Sequence, residues 1–164
     1  HYGALQGLNK RETAEKHGAQ KVLEWRRGFS VRPPELADDH PTHPRNDSRY
    51  SGVPNLPGAE SLADTLIRVR AWWHEALVPL LRTDQRVLVV AHGNSLRALA
   101  KLLEHLSEEE ILEFNIPTGI PMVYQLDEHF IVLSRRFLAD DAKLKAAVDE
   151  VRNQASAKQD HHSG

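Results

Sequence analysis

Two short stretches of this sequence carry residue types that could do chemistry on an anion. In "VLVVAHGNSLRAL" an apolar run ends on His92, and Gly93, Asn94 and Ser95 then open a helix. A helix start leaves backbone N–H groups unsatisfied and carries the positive end of the helix dipole, so this turn favours a negative group. Gly93 permits a tight backbone there. An imidazole at the carboxyl end of a buried strand faces the ligand side of an open α/β sheet rather than the core. The second stretch is Trp25-Arg26-Arg27, where two guanidiniums at a helix end can hold a phosphate or carboxylate with paired N–H bonds, as lysine cannot. Each stretch also has a plainer account. Turns from strand through glycine to helix are common, and arginines in a last helical turn complement the dipole. Lys10 alone reads as a solvated lysine, and Tyr2 alone as a packed aromatic.

Other chemistry fits less well. Ser95 lies in a segment like a nucleophile elbow, but G-x-S-x-G needs a glycine where Arg97 stands, which counts against a serine hydrolase. His40 and His43 lie in a Pro-rich loop, and His161 and His162 in a polar tail. Neither pair has the carboxylate or third ligand on a rigid element that a metal site needs, so no metal is expected. His17, His74, His105 and His129 read as surface positions on helices or a turn.

These residues need elements to position them. "NKRETAEKHG" runs from a candidate cap, Asn9, to Gly18, and "AQKVLEWRRG" stops at Gly28, which predicts two short helices. Six of nine prolines then fall between Pro33 and Pro57, so residues 29–58 read as a long irregular loop and the least ordered internal segment. Leu62, Leu66, Val69, Trp73, Leu77 and Leu80 recur at helical spacing, with Pro79 expected to kink or end that helix. "RVLVVA" is the continuous β-branched run of an interior parallel strand, and "NSLRALAKLLEHL" follows as an amphipathic helix. Ser107 and Glu110 form a capping box. "PMVYQLD" and "FIVLSRRFL" predict an edge hairpin, and "DDAKLKAAVDEV" a closing helix.

Composition sets the outer bounds. With 164 residues, 40% hydrophobic and 27% charged, the chain suits one globular α/β domain. It has no cysteine, which excludes disulfides and thiolate metal sites and fits a reducing compartment such as the cytoplasm. No apolar run approaches the roughly 20 residues of a membrane span. A net charge of -2 gives no global basic field for nucleic acid, so any anion site must be local.

Taken in order, "HYGALQGLNK", "EWRR", "AHGNSLRAL", "FNIPTGIP" and "VYQLD" resemble the 2,3-bisphosphoglycerate-dependent phosphoglycerate mutases of the histidine phosphatase superfamily, from His1 to about Asp141. The resemblance implies an α/β fold: a three-layer α/β/α sandwich with a mixed, mostly parallel sheet, incomplete at the N-terminus. It also implies that residues 1–153 are the later part of one mutase domain and 154–164 a polar, flexible tail. In that family His1 follows the acid/base glutamate, and the nucleophilic histidine of an Arg-His-Gly motif lies further upstream. By this likeness, the chain starts after both groups and alone is expected to be inactive.

Carried over by position, the resemblance makes Tyr2, Lys10, Arg26 and Arg27 ligands of the substrate's phosphate and carboxylate. Gly93 and Asn94 line the phosphate site, and His92 is the second histidine, which stabilises the transferring phosphoryl group without being phosphorylated. The implied reaction interconverts 3-phosphoglycerate and 2-phosphoglycerate, a step of glycolysis and gluconeogenesis, with 2,3-bisphosphoglycerate as primer and no metal. Expected partners are the phosphoglycerates and the missing N-terminal segment, a homo-oligomer being admitted, with no nucleic acid and no membrane. The missing nucleophile leaves open a noncatalytic anion-binding module. Gly28 and Phe29 depart from the family's usual Ser-Tyr, and the chain is polar and unlike the family after Val151.

Overall fold

The computed structural model of the chain describes residues 1–155. Two short helices come first, α1 (Lys10–His17) and α2 (Ala19–Arg27), as the spacing predicts. Gly18 joins them with a φ of 85°, in the left-handed region that costs glycine little. Gly28 closes α2 by donating its N–H to the Glu24 carbonyl. A Cβ on Gly28 would lie 2.4 Å from that same oxygen, so a side chain there would displace the end of the helix.

Residues 29–58 contain only single helical turns, at Pro44–Asn46 and Ser48–Tyr50. Most of their side chains are exposed, but Pro33, His43 and Pro44 are buried. The loop is tied down by backbone bonds from Ala4 to the Pro34 carbonyl and from Leu36 to the Gly58 carbonyl.

The long helix begins at Ser61, whose hydroxyl accepts from the Asp64 N–H while the Asp64 carboxylate accepts from the Ser61 N–H. It runs as α3 (Leu62–Trp72), a wide π-helical turn (Trp73–Leu77) and α4 (Val78–Leu81). Leu62, Leu66, Trp73 and Leu77 are buried as expected, but Leu80 is 42% exposed and Leu81 packs on the core instead. Pro79 lacks an N–H, and in a regular helix its ring would strike the carbonyl four residues earlier. The wide turn accommodates it, and the extra residue in that turn moves the apolar stripe on by one position.

Helix α5 (Gly93–Glu104) ends at His105, which takes a left-handed φ of 53°. Helix α6 (Glu108–Glu113) starts with the expected box of Ser107 and Glu110. Strands β1 (Met122–Leu126) and β2 (Val132–Phe137) form the expected antiparallel hairpin, with Tyr124 opposite Arg135. Helix α7 (Asp141–Ala155) takes in residues 154 and 155 of the expected tail; residues 156–164 lie outside the described residues.

Helix α5 joins two apolar clusters. Its Leu99 and Leu103 meet Trp73, Leu77 and Val78, with Tyr124, Leu126, Phe130 and Val132 from the hairpin region packed alongside. Its Ala98 meets Leu62, Leu66 and Ile111, which ties α3 and α6 together.

The expected sheet is not what the described residues form. Among them the one sheet is the two-stranded antiparallel hairpin, and residues 86–91 pair with no strand. Val89 still packs on the core, but Leu88 and Val90 are 81% and 85% exposed. A strand exists through its ladder of hydrogen bonds, so β-branched residues without a neighbouring strand stay merely extended. The parallel sheet and three-layer sandwich are therefore not seen in residues 1–155. Among those residues no helix is long and apolar enough to cross a membrane.

Candidate anion-binding site

Helix α5 starts without a side-chain cap. His92 precedes it in extended conformation, its ring bonds none of the first-turn amides, and the first helical bond runs from the Leu96 N–H to the His92 carbonyl. The amides of Gly93, Asn94 and Ser95 thus begin a helix whose dipole adds positive potential at the same place. The tight backbone expected at Gly93 is not needed by the protein itself, because a Cβ there would meet no atom within 4 Å.

Tyr2 is brought to this turn by a distant part of the chain. The helical turn Gly3–Leu5 presses on the Pro-rich loop, where a Cβ on Gly3 would lie 2.3 Å from the Pro34 carbonyl oxygen. That contact and a φ of 57° require glycine. Tyr2 and His92 then meet edge to face with ring centres 5.6 Å apart, and the Tyr2 hydroxyl shares a 3.3 Å hydrogen bond with His92 Nδ1. The imidazole tautomer decides which group donates. Burial pushes the Tyr2 hydroxyl above the usual phenol range, against the opposite pull of Arg26 and then Arg97, so the phenol stays protonated.

The two arginines of α2 part ways. Arg26 lies on the Tyr2 side, and its Nε is buried with no hydrogen-bond partner. Arg27 turns toward the end of α6, donating from Nε to the Leu112 carbonyl at 2.9 Å and from NH2 to Phe114 O and Asn115 Oδ1 at 3.2 and 2.8 Å. Lys10 opens α1, and its side chain lies outside the described residues.

One residue was not singled out by its sequence context. Arg97 is only 6% exposed, yet it carries a guanidinium. It donates to Asn94 Oδ1 at 3.3 Å, to the Arg27 carbonyl at 3.1 Å and to the Ile111 carbonyl at 2.5 Å, while its Nε has no partner. Burial, and next the charge of Arg27, hold its pKa down to about 10. Among the described residues no carboxylate forms an ion pair with Arg26 or Arg97. The visible signal was a charged residue on the apolar face of α5, one turn after Asn94 and beside Ala98.

The structure thus brings Tyr2 into contact with His92 and Asn94 into contact with Arg97, with Gly93 between His92 and Asn94, and the charge of Arg26 is felt at Tyr2. It leaves the Arg27 guanidinium at the edge, on α6. A protonated phenol, an imidazole, unpaired guanidinium nitrogens and a helix start can together hold an anion with several ionisable oxygens. Among the described residues no three His, Asp or Glu side chains cluster as metal ligands do. Residues 29–136, more than half of the chain, match the sequence model of the histidine phosphatase superfamily (branch 1). The matched span holds His92, Gly93, Asn94 and Arg97; Tyr2, Lys10, Arg26 and Arg27 precede it.

Proposed function

This chain belongs to branch 1 of the histidine phosphatase superfamily, a membership that suggests phosphatase or mutase chemistry, and from that premise we propose that its residues form part of the active site of a 2,3-bisphosphoglycerate-dependent phosphoglycerate mutase. The observation that carries this reading is the meeting of Tyr2 and His92 beside Arg26, whose Nε is unpaired. In the proposal Tyr2, Lys10, Arg26 and Arg27 take the substrate's carboxylate and phosphate, and Gly93 and Asn94 present the start of α5 to the transferring group. Arg27 also ties the end of α2 to Leu112 of α6 and to Phe114 and Asn115 just after it. His92 donates to the equatorial oxygens as charge develops on them, with Tyr2 orienting its ring through Nδ1.

Transfer of the phosphoryl group also needs a nucleophile. In the family likeness His92 is the stabilising histidine rather than that nucleophile, and its Nδ1 contact with Tyr2 leaves Nε2 for the phosphoryl oxygens. The 2,3-bisphosphoglycerate primer gives one phosphoryl group to the nucleophilic histidine, which passes it to the free hydroxyl of the incoming monophosphoglycerate; the bisphosphate so formed returns its other phosphoryl group to the histidine, so a two-step exchange replaces a direct shift. No metal is invoked. The same residues also serve hydrolysis of the primer.

The test is titration calorimetry with 3-phosphoglycerate, with an isomerisation assay on the full protein primed by 2,3-bisphosphoglycerate. Binding and isomerisation are expected. Hydrolysis of varied phosphate monoesters without isomerisation would leave a phosphatase and remove the mutase. In a companion assay these 164 residues are incubated alone with the primer and probed for acid-labile phosphohistidine. Phosphate found on His92 would overturn the role assigned to it.

A further inference from the structure

We propose that Arg97 is a positioning residue of this site, locking Asn94 at the start of α5 to the Arg26-Arg27 end of α2 through its guanidinium. The proposal rests on the reading that the turn binds phosphoglycerate, and it adds a residue that reading does not contain. Three elements meet on this one side chain. Arg97 donates to Asn94 on its own helix, to the Arg27 carbonyl at the end of α2, and to the carbonyl of Ile111, a fully buried anchor of α6. The planar fork of arginine suits several acceptors held at fixed angles, whereas a lysine ammonium is a compact point charge on a flexible stem.

A simple packing role explains this arrangement poorly. A buried cation with an unpaired Nε is costly, and an apolar residue of similar volume would fill the same space at less cost. What an apolar residue could not do is fix the Asn94 amide group and the α2 end at once. Asn94 follows His92 by two residues and the charge of Arg26 is felt at Tyr2, so a loose junction would spread the ligands of a single anion. Arg97 acts on Tyr2 electrostatically as well, adding to the positive field from Arg26.

The experiment measures 3-phosphoglycerate affinity by calorimetry on the full protein and on Arg97→Lys, Arg97→Met, Asn94→Ala and the Asn94→Ala/Arg97→Lys pair, with melting curves to confirm folding. Arg97→Met is expected to weaken binding by about tenfold or more, and Arg97→Lys by several-fold although it keeps the charge. In the Arg97→Lys background Asn94→Ala should cost little more, because the two act as a unit. A further readout is the Asn94 side-chain amide, whose NMR signal should shift on adding ligand to the wild type and broaden in Arg97→Lys.

Wild-type affinity in Arg97→Lys, or strict additivity of the two substitutions, overturns the positioning role while leaving the mutase reading intact. A wild type that does not bind 3-phosphoglycerate overturns both. Should the Arg97 variants fail to fold, Asn94→Ala cuts the same contact from its other side, and unchanged affinity there also overturns the proposal.

Discussion

His92 and Asn94 stand two positions apart, yet their removal should be felt at different stages of the reaction. The imidazole contacts Tyr2 and, in the proposed reaction, meets charge that appears only during transfer, so His92→Ala should lower kcat by about 100-fold or more with a small change in KM. Asn94, already bonded to Arg97 before any ligand arrives, should cost less in kcat and more in affinity when cut to alanine. Steady-state kinetics on the full enzyme separate the two, and a His92→Ala enzyme with intact turnover and weakened binding would contradict the assignment. His92 was legible because strand, glycine and helix start follow one another within a few residues. Arg97 was not, because its meaning comes from Arg27 and Ile111, which are 70 and 14 residues away and reach it only in the fold. His43 was hidden for a similar reason: nothing in a Pro-rich loop announces that its ring is buried, with Nδ1 accepting from the Arg45 N–H.

At the start of α3 the Asp64 carboxylate serves two partners. It closes the capping box with Ser61 and accepts from Arg32 at 2.6 and 2.7 Å, which ties the Pro-rich loop to the helix. The Arg32 bond foremost, with the Ser61 bonds, holds this carboxyl well below the usual carboxylate range. A depressed acid stabilises the fold fully above its unfolded value, about 3.9, and loses that contribution as pH falls toward its folded value. Asp64→Asn should therefore cost about 1 kcal/mol at neutral pH, most of it from the cap because Arg32 is largely exposed. That gap should narrow steadily below about pH 4, as urea unfolding of the two proteins would reveal. A gap that stays constant into acid would mean the carboxylate charge plays no part. Caps of this kind are readable because both partners lie within four residues, as at Ser107 and Glu110. The strand expected over 86–91 could not be settled that way, since its ladder depends on residues far off in sequence.

Over the whole molecule, the family implies an α/β fold, whereas residues 1–155 show helices and a single hairpin. The difference lies at residues 86–91, where Leu88 and Val90 face solvent; Ile131 and Leu133 are exposed as well. A short apolar, β-branched segment with open backbone groups is a template for pairing with another chain. These 164 residues should accordingly self-associate as concentration rises, and Leu88→Lys/Val90→Lys should reduce light scattering without lowering the melting temperature. Unchanged scattering in that variant would place the contact elsewhere.

The π-helical turn at Trp73–Leu77 leads to a different kind of statement, about ancestry. Its register is the one a single added residue would give a helix whose two ends are held by packing, which predicts an insertion. Omit Ala76, which is exposed, and Trp73, Leu77, Val78 and Leu81 fall three, four and seven places from the first, the rhythm of an unbroken apolar stripe. Both apolar clusters hang on this rod: Leu62 and Leu66 serve one ahead of the wide turn, and Trp73, Leu77 and Val78 serve the other within it and just after it. Relatives shorter by one residue between Trp73 and Val78 should carry the same cluster on a regular helix, and deleting Ala76 here should keep Trp73 buried, which its fluorescence would report.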